Sequence, residues 1–191
     1  MHIGKIINNI DKKYSYQKFN GINFDSKKCK KGDIFFAIKG TKKNGKKFIN
    51  NAIRNGAKTI ISDLKKEGFN NEILYLNNKN PRKLLAETAS KIYSKKPENL
   101  IAVTGTNGKS SVANFFIQIL KLCNRKSASI GTLGVNSKNI NISLNNTTLD
   151  PITLNQILEK LKKKKIANVI LEASSHGLKQ HRLDGIHFNV G

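Results

Sequence analysis

A lysine and two serines set behind glycines, at the mouth of a helix-forming run, are residue types suited to binding phosphate. This chain carries them as Gly105, Thr106, Asn107, Gly108, Lys109, Ser110 and Ser111. The apolar run Leu100 to Val103 before them reads as a buried strand, and Val112 to Leu120 after them reads as a helix. A strand, a glycine-bearing loop and a helix start form the layout of a phosphate-binding loop. Unpaired N–H groups at the helix N-terminus point at the anion, and the helix dipole favours negative charge there. Gly105 and Gly108 let the backbone come close to a ligand. Lys109 can reach β- and γ-phosphates, and the Ser110 hydroxyl can ligate Mg²⁺. The general pattern G-x-x-x-x-G-K-[ST] has a glycine where this chain has Val103, so the loop fits the shorter variant G-T-N-G-K-[ST]. The alternative, a solvated turn of Gly, Asn, Lys and Ser, leaves the flanking strand and helix patterns unexplained.

Glu172 is the second chemical signal. It ends the apolar run Val169, Ile170 and Leu171, the place where a fold with a phosphate loop sets a Mg²⁺-binding carboxylate. Strand ends of this kind open on a shared crevice. An ordinary surface glutamate at a strand end fits the same spacing. The segment after it, Ala173 to Leu183, is dense in Ser, His, Gln, Lys and Arg. His176, His181 and His187 match no common zinc spacing and have no cysteine nearby. A Ser–His nucleophile pair lacks the Gly-x-Ser-x-Gly turn. Anion-binding or substrate-orienting groups suit the segment better.

These residues need elements to hold them. A short amphipathic helix is expected over 3–10, strands over 22–24 and 33–38, a polar loop over 39–47 and a helix over 48–55 closed by Gly56. Strands over 57–62 and 73–76 and a helix opened by Pro81 complete a first α/β unit. Residues 95–98, with Pro97, read as a linker. Beyond it the spacing predicts strands over 100–103, 126–130 and 168–172, with a polar Asn-rich connection over 131–146. A helix over 151–164 would turn Ile152, Leu154, Ile157, Leu158 and Leu161 inward. The fold class is α/β: a small N-terminal domain over 1–95, then a phosphate-loop unit over 99–191 with a mostly parallel sheet and right-handed crossovers.

Composition narrows the partners. With 191 residues, 38% hydrophobic and 25% charged, the chain is long enough for a real core. No apolar run approaches the ~20 residues of a membrane helix, and no secretory leader pattern is visible, so a cytoplasmic location is expected. The net charge of +23 raises the question of nucleic acid, but it comes from 31 Lys and only 4 Arg, spread along the length beside 25 Asn. Base readers and phosphate clamps lean on Arg, so a lysine-biased surface is the simpler account and no nucleic-acid partner is expected. The block Lys162 to Lys165 suits a helix C-terminus. Cys29 and Cys123 form no metal or redox spacing.

Taken together, Thr104 to Ser111, Glu172-Ala173-Ser174-Ser175-His176-Gly177-Leu178 and Gln180-His181-Arg182 resemble the Mur ligases. The likeness is greatest to the branch that adds a diamino acid to UDP-MurNAc-L-Ala-D-Glu. Asn146-Thr147-Thr148-Leu149-Asp150-Pro151 is similar to the family's Asn-Thr-Thr-x-Asp-Pro segment. Phe24-Asp25-Ser26-Lys27 and Gly32 to Ala37 look like its uridine-nucleotide motifs. The phosphate loop alone also suits folylpolyglutamate synthases. The resemblance implies ATP-dependent amide ligation in peptidoglycan precursor synthesis, in which ATP phosphorylates the D-glutamate carboxylate and an amine attacks the acyl phosphate. It implies that residues 105–111 hold ATP and that Ser110 and Glu172 hold Mg²⁺. It assigns Ser26, Thr41, Lys42 and Lys43 to the uridine nucleotide, and Asn146, Thr147, Thr148, Ser174, Gln180 and Arg182 to the muramoyl dipeptide. Lys109, Glu172 and Arg182 are the expected catalytic group, acting by positioning and charge stabilisation. Lys27, Asn44 and Leu149 stand where the family more often has Arg, Asp and Pro. The family has three domains, so the chain is expected to be an N-terminal part, inactive by itself. A non-catalytic nucleotide- or UDP-sugar-binding module is the other reading, and oligomeric state stays open.

Overall fold

A computed structural model describes the chain except residues 9, 41, 42, 138, 139 and 143–146. The chain divides into two compact units, Met1–Thr88 and Ala89–Gly191.

The first unit begins with a 3-10 turn, Ile3–Lys5, followed by α1 (Lys12–Ser15). The continuous helix expected over 3–10 is not formed. Asp11 instead caps a new start by accepting from the Lys13 N–H, and helices this short have little stability of their own. Next come β1 (Ile22–Asn23), a 3-10 turn at Ser26–Lys28, β2 (Ile34–Phe36), a second such turn at Gly45–Phe48, and α2 (Ile49–Arg54). Then follow β3 (Thr59–Ser62), β4 (Gly68–Asn70) and β5 (Ile73–Asn77). The sheet order is β1-β2-β3-β5-β4, parallel throughout except where β4 lies antiparallel to β5. Phe35, Phe36, Ile60, Ile61 and Leu74 are fully buried, which is why the parallel strands read as unbroken apolar runs. β4 has no such signal, being an edge segment of Gly, Phe and Asn. Cys29 packs in this core, and burial pushes its thiol up to about 12. The helix α3 (Pro81–Ile92) carries the chain from one unit to the other.

The second unit runs β6 (Asn99–Val103), α4 (Lys109–Leu122), β7 (Ser127–Gly131), β8 (Gly134–Ser137) and β9 (Ile140–Ile142). It continues with α5 (Pro151–Lys163), β10 (Asn168–Glu172) and α6 (Ser175–Lys179). Its sheet order is β6-β10-β7-β8-β9. β10 is parallel to both neighbours, β6 and β7, whereas β7, β8 and β9 form an antiparallel meander. That meander replaces the connection expected over 131–146 at residues 134–137 and 140–142, while 138, 139 and 143–146 lie outside the described residues. Its buried Val135 and Ser137 alternate with exposed Asn136, a period-two pattern too short and too polar to stand out.

Helix α5 is set by Asp150, whose carboxylate accepts from the N–H groups of Ile152 and Thr153, with Pro151 in the first turn. Leu154, Ile157, Leu158 and Leu161 face the core with Ile130, Val169 and Leu171, while Ile152 is half-buried. The helix ends in its lysine block, where the Lys162 ammonium lies 2.7 Å from Glu98. α4 is covered less: Ala113 is its buried residue, and Val112, Phe115, Ile119 and Leu122 stand exposed along its outer side. The outer edge of β6 is met by residues 189 and 190. The Asn189 N–H donates to the Leu100 carbonyl at 2.8 Å, the Ala102 N–H donates to Val190 at 2.9 Å, and Val190 pairs with Ile101 in parallel sense. Among the described residues no helix is long and apolar enough to cross a membrane.

Candidate nucleotide and metal site

The register of the second sheet brings its chemical residues level. Glu172 pairs with Val103 across one side of β10, and Leu171 pairs with Ile130 across the other, so Glu172 stands beside Gly131. The loops that leave β6, β7 and β10 therefore open at one end of the sheet, where ligands gather in such folds.

The loop after β6 is exposed from Thr104 to Gly108. Gly105 has φ +143° and Gly108, which caps α4, has φ +80°. A Cβ at Gly108 would meet nothing within 4 Å, so backbone conformation and not crowding calls for glycine there. Val103, at the position where the longer loop pattern has its first glycine, is the last residue of β6, and its carbonyl accepts from the Ala173 N–H at 2.8 Å. The strand ladder thus extends through that position and the loop begins later. Lys109 arches back over the loop, its ammonium donating to the carbonyls of Gly105 at 2.7 Å and Thr106 at 3.3 Å.

Glu172 is 3% exposed, which removes the surface-glutamate alternative. Its Oε2 accepts from the Ser110 hydroxyl at 3.1 Å and from the Thr132 hydroxyl at 3.0 Å. The glycine-bearing loop and the strand-end carboxylate thus share one crevice, whose wall continues through Asn114, Ser129 and Asn136. Serine and carboxylate oxygens at this spacing are hard donors of the kind Mg²⁺ takes. Among the described residues no group of three or more His, Cys, Asp and Glu is gathered for a metal. His176 Nε2 lies 2.6 Å from Gln180, and His181 Nδ1 lies 3.0 Å from Asp184.

A second network joins the same strand end. The Thr148 hydroxyl donates to the Glu172 carbonyl at 3.2 Å, accepts from the Ser174 N–H at 3.0 Å and lies 2.9 Å from the Ser174 hydroxyl. Ser174 caps α6 through the Gly177 N–H. Gly177 packs so tightly that a Cβ there would sit 2.7 Å from the Thr148 side chain. The Arg182 guanidinium donates to Gln180 Oε1 at 3.1 and 2.8 Å and to the Thr148 carbonyl. Thr148, Ser174, Gln180 and Arg182 therefore form one polar cluster continuous with Glu172, and the Thr147 hydroxyl joins the same carboxylate through Thr132, 3.1 Å away. Asn146, Thr41 and Lys42 lie outside the described residues. In the first unit, Ser26 is buried and its hydroxyl accepts from Asn51 at 3.1 Å, while Lys43 is exposed.

Two residues of the site escaped the sequence. Thr132 bonds the carboxylate, and Gly131 leaves room for it, since a Cβ there would fall 2.2 Å from Glu172 Oε1. Their signal was positional: both stand where the strand predicted over 126–130 runs out, on the ligand-bearing side of a parallel sheet.

Residues 18–98 match the Mur ligase family, catalytic domain, and residues 103–191 match the Mur ligase middle domain. The UDP-N-acetylmuramoyl-L-alanyl-D-glutamate–2,6-diaminopimelate ligase of Rickettsia montanensis is 40% identical over 186 residues, covering 95% of this chain and 38% of its own length. That of Bradyrhizobium diazoefficiens is 39% identical over 171 residues, covering 90% and 35%. A solved ligase of the same name superimposes with a TM-score of 0.80 at 30% identity, over 98% of this chain and 39% of that one. The MurF ligase of Thermotoga maritima, solved with ADP, gives 0.53 at 24% identity over 82% and 32%, a likeness of fold. The chain thus spans about a third of the length of these proteins, from 32 to 39%.

Proposed function

We propose, from the premise that this chain belongs to the Mur ligase family, that it forms the nucleotide site and part of the substrate site of an ATP-dependent amide ligase. The reaction joins a diamino acid, diaminopimelate in the names of the relatives, to UDP-MurNAc-L-Ala-D-Glu in peptidoglycan precursor synthesis. The observation that carries the reading is the 3.1 Å contact between Ser110 and Glu172, which makes one crevice of two distant motifs.

In this reading residues 1–95 serve the uridine nucleotide through Ser26 and the 41–43 loop, and residues 99–191 serve ATP. Residues 105–111 cradle the phosphates with their N–H groups and the α4 dipole. Lys109 turns from the loop carbonyls toward the β- and γ-phosphates. Ser110 and Glu172 offer oxygens to Mg²⁺, which when bound neutralises charge on the transferring phosphoryl group. Thr147, Thr148, Ser174 and Gln180 orient the dipeptide, joined by Asn146. Arg182 brings positive charge to the same cluster and steadies the developing negative charge. The γ-phosphoryl group passes from ATP to the D-glutamate carboxylate and ADP is released. The amine then attacks the acyl phosphate, the C–N bond forms as the acyl C–O bond breaks, and phosphate and a proton leave. A cytoplasmic setting follows from nucleotide substrates.

Calorimetry with MgATP tests the reading. One site is expected, weakened about tenfold or more, about 1.4 kcal/mol, in Lys109→Ala. No binding by the wild-type chain, or equal binding by the variant, overturns it. Because these 191 residues span about 38% of a relative's length, phosphate release with the dipeptide substrate and diaminopimelate is expected at background.

A further inference from the structure

We propose that Thr132 is a positioning residue that aims the Glu172 carboxylate at the cation and ties it to Thr147 and Thr148, so that the nucleotide–metal site and the substrate segment are ordered together. This rests on the ligase reading above and deepens it.

An ionised carboxylate only accepts hydrogen bonds, so the Thr132 hydroxyl, 3.0 Å from Glu172 Oε2, spends its single proton on that oxygen. The Thr147 hydroxyl, 3.1 Å from Thr132 Oγ1, must then be the donor in that pair. Thr147 is left with lone pairs to accept from a ligand. The neighbouring chain runs the same way. Thr148 donates its single proton to the Glu172 carbonyl, so in its contact with the Ser174 hydroxyl Ser174 is the donor, while Ser174 accepts from the Gly177 N–H. Both threonines are thus polarised toward the end of β10.

Thr132 is exposed and follows the last residue of β7, yet its hydroxyl points inward at a carboxylate that is almost wholly buried. Among the described residues it is the one side chain hydrogen-bonded both to the Glu172 carboxylate and to Thr147. None of the described residues donates to Oε1. The hydroxyls of Thr132 and Ser110 therefore fix the carboxylate through Oε2, and among the described residues its other oxygen, set against Gly131, receives no hydrogen bond. Groups that orient a metal ligand in this way commonly change metal affinity by about 10- to 100-fold when removed.

The experiment compares wild type, Thr132→Val and Thr132→Ser. Mn²⁺ uptake with a non-hydrolysable ATP analogue is read by electron paramagnetic resonance, and amide hydrogen exchange is read at Thr147 and Thr148. Valine keeps the branched shape without the hydroxyl, and serine restores the hydroxyl. Expected are a loss of about tenfold or more in Mn²⁺ affinity and faster exchange in the valine variant, both recovered by serine, with unfolding midpoints alike. An unchanged valine variant in either readout, or a serine variant that fails to recover, overturns the proposal. Should the wild type take up no Mn²⁺–nucleotide, the ligase reading falls. Exchange then decides the contact: acceleration by valine that serine reverses supports it, and no acceleration sinks it.

Discussion

Gly131 has no side chain because Glu172 occupies the place where one would go. An added Cβ would lie 2.2 Å from Oε1 and 2.3 Å from the carboxyl carbon, closer than any contact can be, so the carboxylate would have to swing away from Ser110 and Thr132. Gly131→Ala is therefore expected to keep the fold, as read by circular dichroism, while costing about 1–3 kcal/mol of stability and most of the Mn²⁺–nucleotide affinity. Unchanged affinity would show that the carboxylate position does not matter. Lys109, Ser110 and Glu172 could be singled out in sequence because each sits at a distinctive place in a linear pattern. Gly131 and Thr132 could not be found that way, since what matters about them is a neighbour some forty residues downstream. The burial of Glu172 was equally hidden: an acid at a strand end looks the same in sequence whether water or protein surrounds it.

Among the elements, α5 shows the clearest link from local sequence to position. Its Asp150 cap and Pro151 fix where the helix starts, and that start is joined by one residue, Leu149, to Thr148 in the polar cluster. Asp150→Ala should cost about 1 kcal/mol, within the usual 0.5–2, by leaving first-turn N–H groups unpaired. A lower urea midpoint at unchanged slope would record it; no shift would mean that the α5 packing alone sets the helix start. The long periodic helices and the buried parallel strands were legible for physical reasons, since a face or a core has to be filled with apolar side chains. The antiparallel meander of β8 and β9 and the edge strand β4 were not. β4 lies at a sheet edge with no side chain buried, and β8, though inside its sheet, is too short and polar for its alternation to stand out. The helix expected at the N-terminus failed for the opposite reason: apolar spacing was present, but the segment was too short to nucleate and Asp11 drew the start elsewhere.

Over the whole molecule the dominant quantity is charge. With +23 on 191 residues, like charges repel across the surface, which opposes compaction. Raising ionic strength from about 20 to about 200 mM shortens the screening length from roughly 20 to roughly 7 Å, so the unfolding midpoint should rise. A midpoint that stays level or falls would mean that ion pairs such as Lys162–Glu98 and Lys46–Asp63 outweigh the repulsion.

The pairing of Val190 with Ile101 has a geometric corollary. A parallel partner advances along β6 in step with it, at about 3.3 Å per residue. In that alignment the Leu100 carbonyl and the Ala102 N–H, which face outward from β6, are both taken up by residues 189 and 190. The outer rim of β6 is thereby stitched shut just before the loop that ends in Lys109, and that stretch offers no open backbone for another strand to pair with.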